Sequence, residues 1–85
     1  MAYKIIFSED AASQLEEINI ASRNKIIKKL RSIAENPQRT FERLSGRKES
    51  ELRVGDYRLI AIIMHDEKVV FIIAIGHRRD VYKKQ

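Results

Sequence analysis

The spacing of apolar residues changes along the chain, and each change predicts a new element. Ala2 to Phe7 (Ala-Tyr-Lys-Ile-Ile-Phe) is short and β-prone, a first strand. Ser8 followed by Glu9 and Asp10 reads as an N-cap with two carboxylates at the positive end of a helix dipole, so a helix starts at Glu9. Ala11, Leu15 and Ile18, with Ala12 alongside, form its apolar stripe. After a joint near Asn19 to Ser22, Ile26, Ile27, Leu30, Ile33 and Ala34 repeat at helical intervals, with Arg23, Lys25, Lys28, Lys29 and Arg31 on the other face. Asn36-Pro37 ends that helix, because the residue before a proline is pushed out of the α region.

From Pro37 to Ser50 no period holds. Arg39, Thr40, Ser45, Gly46, Arg47 and Lys48 give the stretch the composition of a basic loop, with Phe41 and Leu44 as anchors. Residues 51 to 64 then read as a β-hairpin turning at Gly55-Asp56, where glycine supplies the positive φ of a tight reversal. Tyr57 to Met64 is apolar on both faces apart from Arg58, and Val69 to Ile75 is apolar throughout. Both are strands covered on two sides, joined by the turn His65-Asp66-Glu67-Lys68. The polar tail from Gly76 onward has Val81 to pin a short C-terminal helical turn. The order predicts one α+β domain over residues 1 to 85: a small, mostly antiparallel four-stranded sheet with an N-terminal helical hairpin packed on one face, β-α-α-β-β-β.

Composition narrows the classes. At 44% hydrophobic and 34% charged residues, the chain carries enough apolar surface to fold. It has no cysteine, hence no disulfide or thiolate metal site. No signal-like core or membrane-length apolar run occurs, so a soluble, cytoplasmic protein away from membranes is expected. The net charge is +5, of which residues 36 to 85 carry most, with eleven Lys/Arg against seven Asp/Glu. That balance favours nucleic acid or an acidic protein as partner.

Two clusters carry candidate chemistry. If Leu52 and Val54 point into the core, strand alternation sends Glu51 and Arg53 to the opposite face, and Arg58 joins them rather than bury its charge among the helices. Two guanidinium forks on a rigid hairpin suit a phosphate; the alternative is a pair of solvated arginines bonded to Glu51 or Asp56. His77, Arg78, Arg79 and Tyr82 follow the last strand. They could orient a phosphate and move a proton, or form a basic tail. The lysines of the second helix read as its wet face, and His65 has no partner at metal-ligand spacing, so no metal or other cofactor is expected.

Two stretches together resemble the RelE/ParE toxin superfamily: Leu-Arg-Val-Gly-Asp-Tyr-Arg-Leu-Ile at 52 to 60 and Ile-Gly-His-Arg-Arg-Asp-Val-Tyr at 75 to 82. The element order and length fit, so the likeness covers nearly the whole chain. The resemblance implies a toxin of a type II toxin-antitoxin pair, closer to the RelE branch, which cuts mRNA in the ribosomal A site, than to the ParE branch, which inhibits DNA gyrase. By similarity Arg53 and Arg58 hold the scissile phosphate, Arg78 acts in catalysis, and Tyr82 stacks on or orients the substrate. His77 stands where a relative has lysine. The resemblance also implies an acidic, RelB-like antitoxin, ribosome and mRNA as partners, and operator DNA reached through the antitoxin complex. An inactive relative serving as an antitoxin-binding co-repressor is a further alternative. Glu51 departs from the pattern, replacing a cation of some relatives, and is the candidate general base. Lys48, Arg47 and Arg79 are candidate substrate contacts, with Lys48 in sequence position to replace the missing charge.

Overall fold

The computed structural model describes residues 2–77. Its elements are β1 (Lys4–Phe7), α1 (Glu9–Glu17), α2 (Ile20–Ile33), a 3-10 turn (Pro37–Arg39), β2 (Glu42–Arg43), β3 (Ser50–Val54), β4 (Tyr57–Met64) and β5 (Val69–His77). The strands form one sheet in the order β1-β5-β4-β3-β2, with β1 and β5 parallel and every other pair antiparallel.

The sheet thus has five strands rather than four. The fifth, β2, lies in the stretch read as a loop: Glu42 pairs with Glu51 and Arg43 with Ser50. Two residues are too few for a period to register. Pro37 starts the 3-10 turn, where its missing N–H is no loss. The C-terminal helical turn pinned by Val81 lies outside the described residues.

Both helices begin on the caps their sequences offer. The Ser8 Oγ accepts from Ala11 N at 3.0 Å, and the Asn19 Oδ1 accepts from Ser22 N at 2.9 Å. Arg23 reaches back from α2, its Nη2 donating to Glu16 O at 3.4 Å and Ile18 O at 3.3 Å, where α1 would otherwise leave carbonyls unpaired. α1 packs over β5 and β1, and α2 over β3. The core between helices and sheet is built from Ala11, Ile18, Ile26, Leu30 and Ile33 against Leu52, Leu59, Ala61, Val70, Ile72 and Ile75. Among the described residues no helix is long and apolar enough to cross a membrane.

One irregularity sets which residues face where. Ile60 lies opposite Ala74 but Ala61 lies opposite Ile72, so Ile73 is an extra residue in β5. Ser8 holds this bulge: its Oγ donates to Ile73 O at 3.1 Å and its backbone N–H to Ile72 O at 2.9 Å. Beyond the bulge, the Gln14 side chain of α1 accepts from Ile75 N. Val70 and Ile72 face the helices before the bulge, and Ile75 does so after it.

Candidate functional site

The β3–β4 hairpin reverses over two residues, Gly55 and Asp56, with Val54 opposite Tyr57 and Arg53 opposite Arg58. Gly55 has φ 60° while Asp56 keeps a negative φ, the pattern of a type II′ turn, whose twist matches the strands it joins. Val54 and Tyr57 pack toward the helices. Arg53 and Arg58 therefore project from the other face, as directly opposed residues whose Cβ atoms lie about 4.5–5.5 Å apart.

Glu51 shares that face, two residues before Arg53. Its Oε2 accepts from Arg58 Nη1 at 2.9 Å. Glu51 is only 8% exposed, and the Arg58 side chain 19%. Its cross-strand partner Ile60 is 1% exposed although it lies outside the helix-packed core, so this end of the second face is well covered. Two like charges directly opposed on neighbouring strands repel. The carboxylate offsets one of them, and the trio keeps a net positive charge. Arg53 is exposed and borders a concavity of about 420 Å³ with Lys29, Thr40, Glu42 and Glu51, beside the part of β3 that the short β2 leaves uncovered.

The structure brings together Arg53, Arg58 and Glu51, as strand alternation predicts. It does not bring His77 to them. Because of the bulge, Tyr57 lies opposite His77 and Arg58 opposite Gly76. The imidazole sits on the helix side, edge-on to Tyr57 with ring centroids 5.9 Å apart, beside Gln14 and Glu17. Lys48 is also elsewhere: it lines a separate pocket with Arg43 and His65. Arg47 is exposed in the β2–β3 loop, its carbonyl accepting from Arg43 Nε at 3.2 Å. Arg78, Arg79 and Tyr82 lie outside the described residues. Lys29, Thr40 and Glu42 were missed as neighbours of Arg53. No local period marks them, because the strand that carries Glu42 is only two residues long.

Comparison with known proteins places this arrangement. Residues 5–82 match the family model described as ParE toxin of type II toxin-antitoxin system, parDE. The mRNA interferase toxin RelE of Escherichia coli (strain K12) is 30% identical over 89 residues, covering 99% of this chain and 94% of the relative. The isolated E. coli RelE toxin superposes with a TM-score of 0.79 at 25% identity, covering 98% of this chain and 94% of that one. The toxin in the intact E. coli RelBE toxin-antitoxin complex gives 0.76 at 28% identity, covering 89% and 96%. A family match over nearly the whole length, a relative at that identity and the shared fold agree: the chain belongs to the RelE/ParE superfamily of type II toxin-antitoxin toxins.

Proposed function

We propose that this toxin is an mRNA interferase that cuts message in the ribosomal A site, in the cytoplasm, by attack of the RNA's own 2′-hydroxyl. The observation that carries the reading is the directly opposed pair Arg53 and Arg58, with Glu51 bonded to Arg58 on the same sheet face. The name of the E. coli relative, an mRNA interferase toxin, supports mRNA as the target.

In such a cut the 2′-oxygen bonds to phosphorus as the bond from phosphorus to the 5′-oxygen breaks, leaving a 2′,3′-cyclic phosphate and a 5′-hydroxyl. Negative charge gathers on the nonbridging oxygens of the pentavalent state. Two guanidiniums at the hairpin corner supply donors where that charge develops, and the rigid strands hold them in place. Glu51 is the residue assigned to take the 2′-hydroxyl proton, with Arg58 holding its carboxylate in orientation. Arg78 adds charge stabilisation, Tyr82 orients the base, and Arg79 contacts the backbone. The proton for the leaving 5′-oxygen comes from this same C-terminal group. The ribosome supplies positioning that a free message lacks. An acidic, RelB-like antitoxin neutralises the site, as the toxin-antitoxin complexes among the structural neighbours suggest. The pair would reach operator DNA through that antitoxin.

The match to a ParE family model supports a second reading, a gyrase inhibitor with no chemistry of its own. Cell-free translation with mapping of message ends separates the two. Cuts at A-site codons, abolished by Arg58→Ala and by Glu51→Gln with ribosome binding retained, are expected of the nuclease. Intact message with trapped gyrase-DNA complexes would reject it. Cutting unchanged in Glu51→Gln would remove Glu51 as the base.

A further inference from the structure

A second concavity lies at the far end of the hairpin from the Gly55 corner. About 330 Å³ in volume, it is bounded by Arg43, Lys48 and His65 around Phe41, Ile62 and Ile63, and among the described residues no carboxylate lines it. It exists because β3 pairs with β4 only as far as Ser50 opposite Ala61, so the edge of β4 beyond Ala61 is not covered by β3. Ile62 is four residues along β4 from Arg58, roughly 13 Å at about 3.3 Å per residue. Arg43 pairs with Ser50, whose partner Ala61 faces the helices, so Arg43 projects to the side opposite the Arg53–Arg58 pair.

Three polar residues line it from three segments. The β2–β3 loop is closed by Leu44 N donating to Glu49 O at 3.0 Å and Arg47 N donating to Leu44 O at 3.1 Å, which brings Lys48 over the pocket. The Arg43 Nε donates to Arg47 O at 3.2 Å, an anchor that fixes the guanidinium and leaves its terminal N–H groups for a ligand. The His65 Nδ1 lies 2.9 Å from the hydroxyl of buried Tyr3. That contact engages Nδ1 and ties the ring to Tyr3, leaving Nε2 as the other ring nitrogen. Cationic and imidazole side chains around a concavity of this size, bordered by Ile62, Ile63 and the edge of buried Phe41, match a phosphate joined to a flat ring.

We infer that this pocket binds a nucleotide, with Arg43, Lys48 and His65 on its phosphate and Phe41, Ile62 and Ile63 against its base. The inference stands apart from the cleavage reading, since the pocket and the Arg53–Arg58 pair cannot hold one phosphate. A free mononucleotide and one unit of an RNA strand present the same chemistry.

The full chain carrying Arg58→Ala, which keeps the probe intact, is titrated with AMP and with a short single-stranded oligoribonucleotide while backbone amide resonances are followed. Shifts centred on residues 43–50 and 62–65 are expected, with affinity reduced at least tenfold by Arg43→Glu and by Lys48→Ala. Lys48→Ala, on an exposed loop, carries the test if Arg43→Glu fails to fold. Arg39→Glu makes the same charge change outside the pocket and should alter binding less than threefold. Equal binding of AMP and oligomer would identify a free nucleotide as sufficient; binding of the oligomer alone would identify a strand. Absence of shifts with both probes, unchanged affinity in the pocket variants, or an equal loss in Arg39→Glu would overturn the inference.

Discussion

Replacing Arg58 by alanine strips a buried carboxylate of its counter-charge, and the size of the effect follows from the surroundings of the pair. Breaking a fully buried ion pair by removing one partner costs about 3–5 kcal/mol. Here Glu51 is 8% exposed but the Arg58 side chain is 19% exposed, so water reaches the vacated side and lowers the penalty. Removing the opposed charge beside Arg53 returns a few tenths of a kcal/mol. The expected loss is about 2 kcal/mol, which at ~4–8 °C per kcal/mol for a domain of this size lowers Tm by roughly 8–16 °C. Urea denaturation followed by circular dichroism would measure it, within a double-mutant cycle using Glu51→Gln. In the Arg58→Ala background Glu51→Gln should recover about 1 kcal/mol, because an unpaired amide is easier to bury than an unpaired carboxylate. An unchanged midpoint for Arg58→Ala, or a coupling within about 0.3 kcal/mol of zero, would refute the claim that the carboxylate depends on this guanidinium.

Other perturbations test the scaffold and the placement of the site. Gly55→Ala meets no steric neighbour, so its cost is the positive φ alone, about 1–2 kcal/mol by the same denaturation assay. Ser8→Ala removes the cap of α1 and the side-chain bond to the bulge together, and should destabilise by about 1–2 kcal/mol, more than Asn19→Ala, which removes one cap bond worth about 1 kcal/mol. His77→Gln, on the helix side of the sheet, should change mRNA cutting by less than threefold where Arg58→Ala abolishes it; an equal loss would bring His77 back into the chemistry.

Most of the fold was legible because most of its elements announce themselves locally. Ser8 and Asn19 are cap residues, Asn36-Pro37 is a breaker, and Gly55-Asp56 is a hairpin corner; each acts within a few residues of itself. The face shared by Glu51, Arg53 and Arg58 was legible for the same reason, since Leu52 and Val54 leave one assignment open to them. The position of His77 was not. From Val69 to Ile75 every residue is apolar, so no polar residue marks where alternation slips, and the extra residue at Ile73 is visible only in pairing with β4. Proximity in sequence puts Lys48 near the arginines, but the loop carrying it folds toward the far end of the sheet.

The two helices also differ in electrical sign. α1 contains four carboxylates and no cation, while α2 contains five cations and no carboxylate. Because α1 rests over β5 and β1 and α2 over β3, the opposite charges stand above different parts of the sheet, two or more strand spacings of about 4.8 Å apart. That separation is comparable to the ~8 Å Debye length at physiological ionic strength, so a large polyanion meets two patches rather than one averaged charge. It would be drawn to one flank and repelled from the other, turning the molecule before any contact forms. Dilute buffer lengthens the range of that torque and strong salt removes it, so the speed of capture should depend on ionic strength more steeply than the modest overall charge suggests.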